Sequence, residues 1–517
     1  MLEPLPAAQW NETTAAHLLK RAGFGVRPGA LAEWTALGLD GAVDRLVEWE
    51  KTPDPTPNPD WAKPDPSLID RRKELRGLPE EERRAKFLEF QREQRQQVRE
   101  LKLWWLRRLR ETPRPLQEKL TLFWHGHFAT SVEKVKLAYF MWRQNDLFRR
   151  LGQGSLRQLL IEVGRDPAML VWLDGAQSRK DAPNENYGRE LLELFTLGEG
   201  HYTEDDIKAA ARAFTGWTVN RLRQEAFFVK DNHDGGRKTF LGASGNFGDE
   251  AIIDRILAQP QCARWITGKL WTFFAYERPE PALVDALAAR FSGAGHEIKP
   301  VLHTLFRSRE FYSSRALMTQ IKSPVQWLID LQGTLDLQRV PDQGLMQLLV
   351  QLGQHLFEPP SVKGWDGGRA WISTNTLLLR QNTAKLLVYG GDPGGIFGRE
   401  EILGKLKQLQ NLRAQANPGE PMDPEMQQRL QRLERAGKRK MDIPPLVDAA
   451  RLVSAEDRAD PARLVKTLTT RLFAAPPPPS ALQAFDEYVR QAKYPASSET
   501  LQGLVYLMMA RPEYQLT

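Results

Sequence analysis

The chain has 517 residues, 41% of them hydrophobic and 26% charged, a balance that excludes both wholesale disorder and a membrane-embedded bundle. Its 72 lysines and arginines face 65 acidic residues; the net charge of +7 would favour an anionic partner, but the two signs interleave and argue against a nucleic-acid-tracking stripe. One cysteine, Cys262, excludes an intramolecular disulfide framework and multi-cysteine metal sites, so a metal here would need histidines and carboxylates.

The N-terminus, MLEPLPAAQWNETTAAHLLKRAGFG, lacks the basic segment, apolar core and small-residue cleavage site of an export signal, so a cytoplasmic location is the expectation. No apolar run approaches the roughly 18 residues of a membrane span. The Pro-rich stretch KTPDPTPNPDWAKPDPS, 51–67, cannot continue a helix and reads as an extended loop leading into a long charged helix over 68–111.

Leu116-Gln-Glu-Lys-Leu-Thr-Leu-Phe-Trp-His-Gly-His-Phe128 carries His-x-His in a chain with only eight histidines. If the helix runs through, His125 and His127 diverge by about 200° and cannot share a metal; if the chain is extended, they point the same way. The bland alternative is one buried histidine bonded to backbone and one exposed.

Pro183-Asn-Glu-Asn-Tyr-Gly-Arg-Glu-Leu-Leu-Glu-Leu-Phe195 predicts an amphipathic helix over 184–197. Tyr187, Leu191, Leu192, Leu194 and Phe195 fall on one arc, with Glu185, Asn186, Arg189, Glu190 and Glu193 on the other. Glu185, Arg189 and Glu193 step by four, as in an ordinary surface ion-pair ladder. Glu190 and Glu193, three apart, would project side by side, a spacing used by helical carboxylate metal sites. Tyr202 to Trp217 follows as a second helix, with Thr203 and Asp206 as a capping box and Gly216 as its stop.

Short strand-like runs occur at Ala226–Val229 and Lys238–Leu241, around the glycine turn Asp231-Asn-His-Asp-Gly-Gly-Arg-Lys238. A turn-borne His233-Asp234 suits a metal ligand or a general base, and equally an ordinary tight turn. Downstream, GKLWTFFAYERPEPALVDALAARF...VLHTLFRSREFYSS (268–314) echoes VKTLTTRLFAAPPPPSALQAFDEYV...LVYLMMARPEYQLT (465–517): helix, Pro-rich turn, helix, spacer, apolar helix, aromatic stop. Residues 400–443 predict a second charged helical insertion. No GxxxxGK[ST], HExxH or GxSxG occurs, so the commonest NTPase, zincin and serine-hydrolase signatures are absent.

These signals predict a mainly α, bundle-like globular fold with long charged helical arms, two repeated helical units and only short β segments. The expected divisions are an N-terminal helical part (1–50), the Pro-rich loop and charged helix (51–111), a site-bearing helical core (112–250), the first repeat with a Trp/Gly-rich loop (251–399), the charged insertion (400–443) and the second repeat (444–517).

Ordered motifs span nearly the whole length: HLLKRAGFG (17–25), FWHGHFATS (123–131), NENYGRELLELFTLGEGHYTEDDIKAAARAFTGWT (184–218), HDGGRKTFLG (233–242), LGQHLFEPPSVKGWDGGRAWIS (352–373) and the SREF and RPEY endings. Together they resemble the bacterial proteins that carry domain of unknown function 1800. The resemblance implies that the polar positions matching the family motif, His125, His127, Asn184, Glu185, Asn186, Arg189, Glu190, Glu193, Asp206, Arg212, His233, Asp234 and Lys238, serve more than a solvated face. It also implies export, because relatives often begin with a signal, and an alkaline-phosphatase-like or sulfatase-like companion protein encoded nearby.

The leading expectation is a metal-dependent hydrolase. Glu190, Glu193, Asp234 and Arg189 would do the chemistry, and His125, His127 and His233 would help hold zinc, manganese or iron. Asn184, Asn186, Arg212, Lys238 and Trp365 would contact a small-molecule or polymer substrate, with Trp124, Trp217 and Trp371 as further flat walls. Two alternatives stand beside it: metal-free acid–base chemistry by Glu190 with Glu193 or Asp234, as in glycoside hydrolysis, and a non-catalytic helical assembly or binding protein.

Overall fold

A computed structural model describes residues 2–27, 29–337, 340, 342–391, 428, 444–494 and 497–517. Among them, 23 α-helices and two small two-stranded antiparallel sheets make the fold mainly α. None of these helices is long and apolar enough to cross a membrane. The charged insertion expected over 400–443 lies outside the described residues, position 428 aside.

The chain divides into two compact units. The first comprises residues 1–25, 29–320 and 355–368; the second comprises 26–28, 321–354 and 369–517. The first unit has one continuous apolar core, to which Leu120, Phe128, Leu159, Leu191, Phe195, Ile207, Trp271 and Leu305 belong.

The repeat lies once in each unit. In the first unit, helices Pro260–Phe274, Pro281–Gly293 and Ile298–Arg307 lead into the 3-10 turn Arg309–Tyr312; in the second, Pro461–Leu472, Pro479–Gln491 and Ser498–Met509 lead into Pro512–Gln515. Proline opens the first two helices of each set, where its missing N–H costs nothing. Both closing turns bury an aromatic ring, Phe311 and Tyr514.

The long charged helix expected over 68–111 is two helices, Ser67–Arg76 and Glu80–Glu111. The break falls at Gly-Leu-Pro, where proline cannot donate the hydrogen bond that would join them. Both expected strand runs are present. β1 (Trp217–Asn220) pairs with β2 (Glu225–Phe228), and β3 (Lys238–Phe240) pairs with β4 (Ala243–Gly245).

Buried charge is organised in local knots. Glu118, fully buried, accepts from Arg108 Nε (2.6 Å), Arg149 Nε (2.5 Å) and Trp105 Nε1 (2.9 Å), and Arg108 also reaches Asp54 (2.5 Å). Burial alone would raise the Glu118 pKa, but the two guanidinium groups outweigh it and hold it near 2. Asp166 caps the helix Pro167–Trp172: its Oδ2 accepts from the Met169 N–H (3.0 Å) and from Gln144 Nε2 (2.9 Å). Its Oδ1 has no partner among the described residues, and burial pushes its pKa up to about 7.

Candidate functional site

The NENYGRELLELF segment begins as the α-helix Glu185–Glu190, with the Asn184 side chain accepting from the Asn186 N–H (2.8 Å) as its cap. It does not continue as the regular helix expected over 184–197. Leu191–Thr196 is a π-helix, a rare wider turn that is often found at functional sites. Gly188 allows the helix to sit against Glu204–Ala213: an added Cβ there would lie 3.0 Å from the Ile207 carbonyl oxygen and 3.1 Å from the Ala211 nitrogen. The second helix opens with the expected capping box, Thr203 and Asp206 bonding each other's main chain.

Side chains clasp the carbonyls at the end of the π-helix. Leu194 O accepts from Trp265 Nε1 (2.9 Å) and Lys269 Nζ (3.0 Å), Phe195 O from His127 Nε2 (3.0 Å), and Leu197 O from Gln261 Nε2 (2.9 Å). A carbonyl only accepts, so His127 carries its proton on Nε2 and turns Nδ1 toward the Lys269 ammonium at 3.5 Å. Burial, reinforced by Lys269, drives the His127 pKa well below the ordinary imidazole value. Burial, reinforced by Lys363, lowers Lys269 to about 8. Cations at a helix C-terminus also suit its dipole.

Glu190 and Glu193 border the start of this turn, and both are partly exposed. The Glu190 carboxylate has no hydrogen-bond partner among the described residues. Burial raises its pKa, the charge on Glu193 adds to that, and Arg189 offsets only part of it. Glu193 accepts from the Tyr202 hydroxyl (3.3 Å). Arg189 turns away to a fork on Glu204 (both 2.9 Å), with Glu185 at 3.5 Å.

The glycine turn forms a second cluster. Arg212 holds Asp234 through Nε (2.6 Å) and Nη2 (3.2 Å), and this ion pair, with the Gly236 N–H, lowers the Asp234 pKa to about 2. Lys238, its side chain fully buried, bonds the Asp234 carbonyl (2.5 Å) and the Gly236 carbonyl (3.1 Å). Burial lowers its pKa, although Asp234 lies 3.8 Å away. His233 Nδ1 donates to the Thr215 carbonyl (2.9 Å), which leaves Nε2 as the acceptor nitrogen.

His125 stands in a third setting. The helix Pro115–His127 runs through both histidines, so they diverge, and both are buried instead of one being exposed. His125 Nε2 accepts the Phe357 N–H (3.1 Å), and its ring packs among Trp105, Phe357 and Trp365. Burial takes its pKa down to about 3. Gly364, at φ +80°, lets this loop touch the Gly126 main chain, where any side chain at 364 would collide.

The expected site residues therefore fall into separate neighbourhoods. Arg212, Asp234 and Lys238 meet; Glu190 lies within the electrostatic reach of Glu193 and Arg189; Asn184 is a cap and Asn186 is exposed. His125 and His127 spend a nitrogen each on the main chain and do not converge with the carboxylates. Among the described residues, no group of three or more His, Cys, Asp or Glu side chains is arranged to hold a metal ion. Trp124 is buried, bonding the Gly152 carbonyl (2.9 Å), and the half-buried Trp217 bonds Asp249 (3.0 Å) with the Arg165 guanidinium over its ring. The sequence reading missed Lys269 and Trp265. The available signal was two polar-tipped residues four apart in an otherwise apolar helix, where Lys269 is one of only two charged side chains.

A family model described as a protein of unknown function, DUF1800, matches residues 17–516. No curated protein and no solved structure matches the chain. The chain belongs to the DUF1800 family.

Proposed function

We propose that this member of the DUF1800 family is a hydrolase working by metal-free carboxylate chemistry at the start of the π-helix. The observation that carries the reading is Glu190: a partly buried carboxyl without a hydrogen-bond partner among the described residues, held less acidic than usual beside a second carboxylate. A carboxyl held less acidic than usual can serve as the acid while a neighbouring carboxylate serves as the base. Glu190 would donate its proton to the leaving oxygen, and Glu193, steadied by Tyr202, would take one from the attacking water. Arg189, committed to Glu204, would position the helix and not contact substrate.

The test is turnover of chromogenic glycosides and esters by the purified full chain. Glu190→Gln should lower kcat/KM by about 10²- to 10⁴-fold while the circular dichroism stays native. Turnover unchanged in that variant would sink the assignment.

A metal-assisted route is the second reading, favoured by one feature: His233 bonds a carbonyl through Nδ1 and keeps Nε2 as the free nitrogen, the orientation metal-ligating imidazoles adopt. It predicts stoichiometric zinc, manganese or iron by elemental analysis and a melting temperature lowered by chelator. A companion protein would be read by co-purification with the full chain.

A further inference from the structure

The HLLKRAGFG motif takes no part in the chemistry above, yet it buries charge in an unusual way. His17 and Arg21 lie one turn apart on the helix Glu12–Ala22, and both are buried (0% and 1% exposed) against the closing turn of the first repeat and the residues just after it. Arg21 Nη2 donates to the Ala316 carbonyl (2.5 Å), and His17 Nε2 bonds the Phe311 carbonyl (2.9 Å), with its ring tilted against Phe311 and edge-on to Tyr312.

Among the described residues three nitrogens have no partner: Arg21 Nε, Arg21 Nη1 and His17 Nδ1. Among the described residues no carboxylate acts on the guanidinium; burial shifts it down to about 9. Buried polar groups nearly always find partners, and a buried cation without an opposing charge is strongly disfavoured, so this arrangement calls for an occupant.

The chemistry of the three nitrogens narrows what it is. Arg21 presents only N–H donors, so it takes an acceptor, preferably negative. His17 has its proton on Nε2, because that nitrogen faces a carbonyl, so Nδ1 presents a lone pair and takes a donor. Burial, followed by the charge of Arg21, keeps this imidazole neutral. Water would meet the hydrogen bonds alone and leave the arginine charge unopposed; a species that also answers the charge is negative and carries an O–H.

We propose that His17 and Arg21 form an internal site for a small protonated oxyanion of the hydrogen phosphate or bicarbonate class. Its anionic oxygens accept from Arg21 Nε and Nη1, and its hydroxyl donates to His17 Nδ1. Sulfate, nitrate and chloride satisfy the arginine and leave the imidazole nitrogen orphaned, so the site discriminates by the proton that the ligand keeps.

The experiment uses the full chain, with inorganic phosphate, bicarbonate, sulfate and chloride at matched ionic strength and neutral pH. Equilibrium dialysis should find one saturable phosphate or bicarbonate site per chain in the millimolar range or tighter, and the same ions should raise the melting temperature where sulfate and chloride do not. Arg21→Met should weaken phosphate binding by about tenfold or more, since it removes two charge-assisted hydrogen bonds, either of which is worth at least that factor. His17→Phe should erase the preference for phosphate over sulfate. If Arg21→Met fails to fold, the wild-type anion ranking and His17→Phe still decide. No saturable binding of phosphate or bicarbonate to the wild-type chain, or equal affinity for sulfate, overturns the proposal.

Discussion

At the scale of single residues, Asp166 offers a reading of pH through stability. Its carboxyl titrates near 3.8 when unfolded and near 7 when folded, because burial disfavours the charge. Between those values the unfolded chain has released a proton that the native state still holds, so stability must fall as pH rises from about 4 to about 7. Asp166→Asn keeps the oxygen that caps Met169 and removes the titration. Urea melts across that range should show the wild type losing stability relative to the variant, by on the order of 3 kcal/mol at most. A flat difference would mean that the group ionises freely in the native state.

At the scale of elements, the π-helix is the feature on which the candidate chemistry turns. Its end is held by His127, Lys269, Trp265 and Gln261 from two other helices. His127→Phe preserves the flat ring but strips the donor from the Phe195 carbonyl. The expected cost is about 1–3 kcal/mol, the penalty for an unpaired buried acceptor, seen as a lower urea midpoint with an unchanged slope. Much of this layer was legible beforehand. The 203–206 capping box, both hairpin strands and the three-helix repeats follow from local chemistry: side-chain oxygens before helices, alternation in short runs, prolines at first turns. The π-turn was not legible, because a wheel at 100° per residue assumes the regular helix it was meant to test. Nor were the destinations of His125 and His127, since a backbone carbonyl or N–H supplied by a distant segment leaves no trace in the sequence around the imidazole it engages.

At the scale of the whole molecule, each unit carries its own buried charges. In the second unit, Lys322 and Asp330 form a pair at 2.6 Å with both side chains nearly excluded from water, and Arg380 spans from the Lys322 carbonyl (2.9 Å) to Gln515 (3.2 Å). Breaking one partner of such a pair costs about 3–5 kcal/mol, because the other is left as an uncompensated charge. Asp330→Asn should therefore weaken hydrogen-exchange protection across 321–354 and 444–517 while leaving the core of the first unit, such as 156–164 and 260–274, protected. Equal loss in both would show that they unfold as one cooperative body.

The loop that Gly364 admits against Gly126 also sets an order in time. The first unit takes in residues 355–368, after a stretch of chain that belongs to the second, so the pocket around His125 stays open until Phe357 and Trp365 have been synthesised. At about 5–20 residues per second, a ribosome needs roughly two to ten seconds to pass from Gln320 to Gly368. For that interval the imidazole and Trp105 lack their cover on a nascent chain. A fragment cut at the apparent boundary after 320 would remain at that unfinished stage permanently.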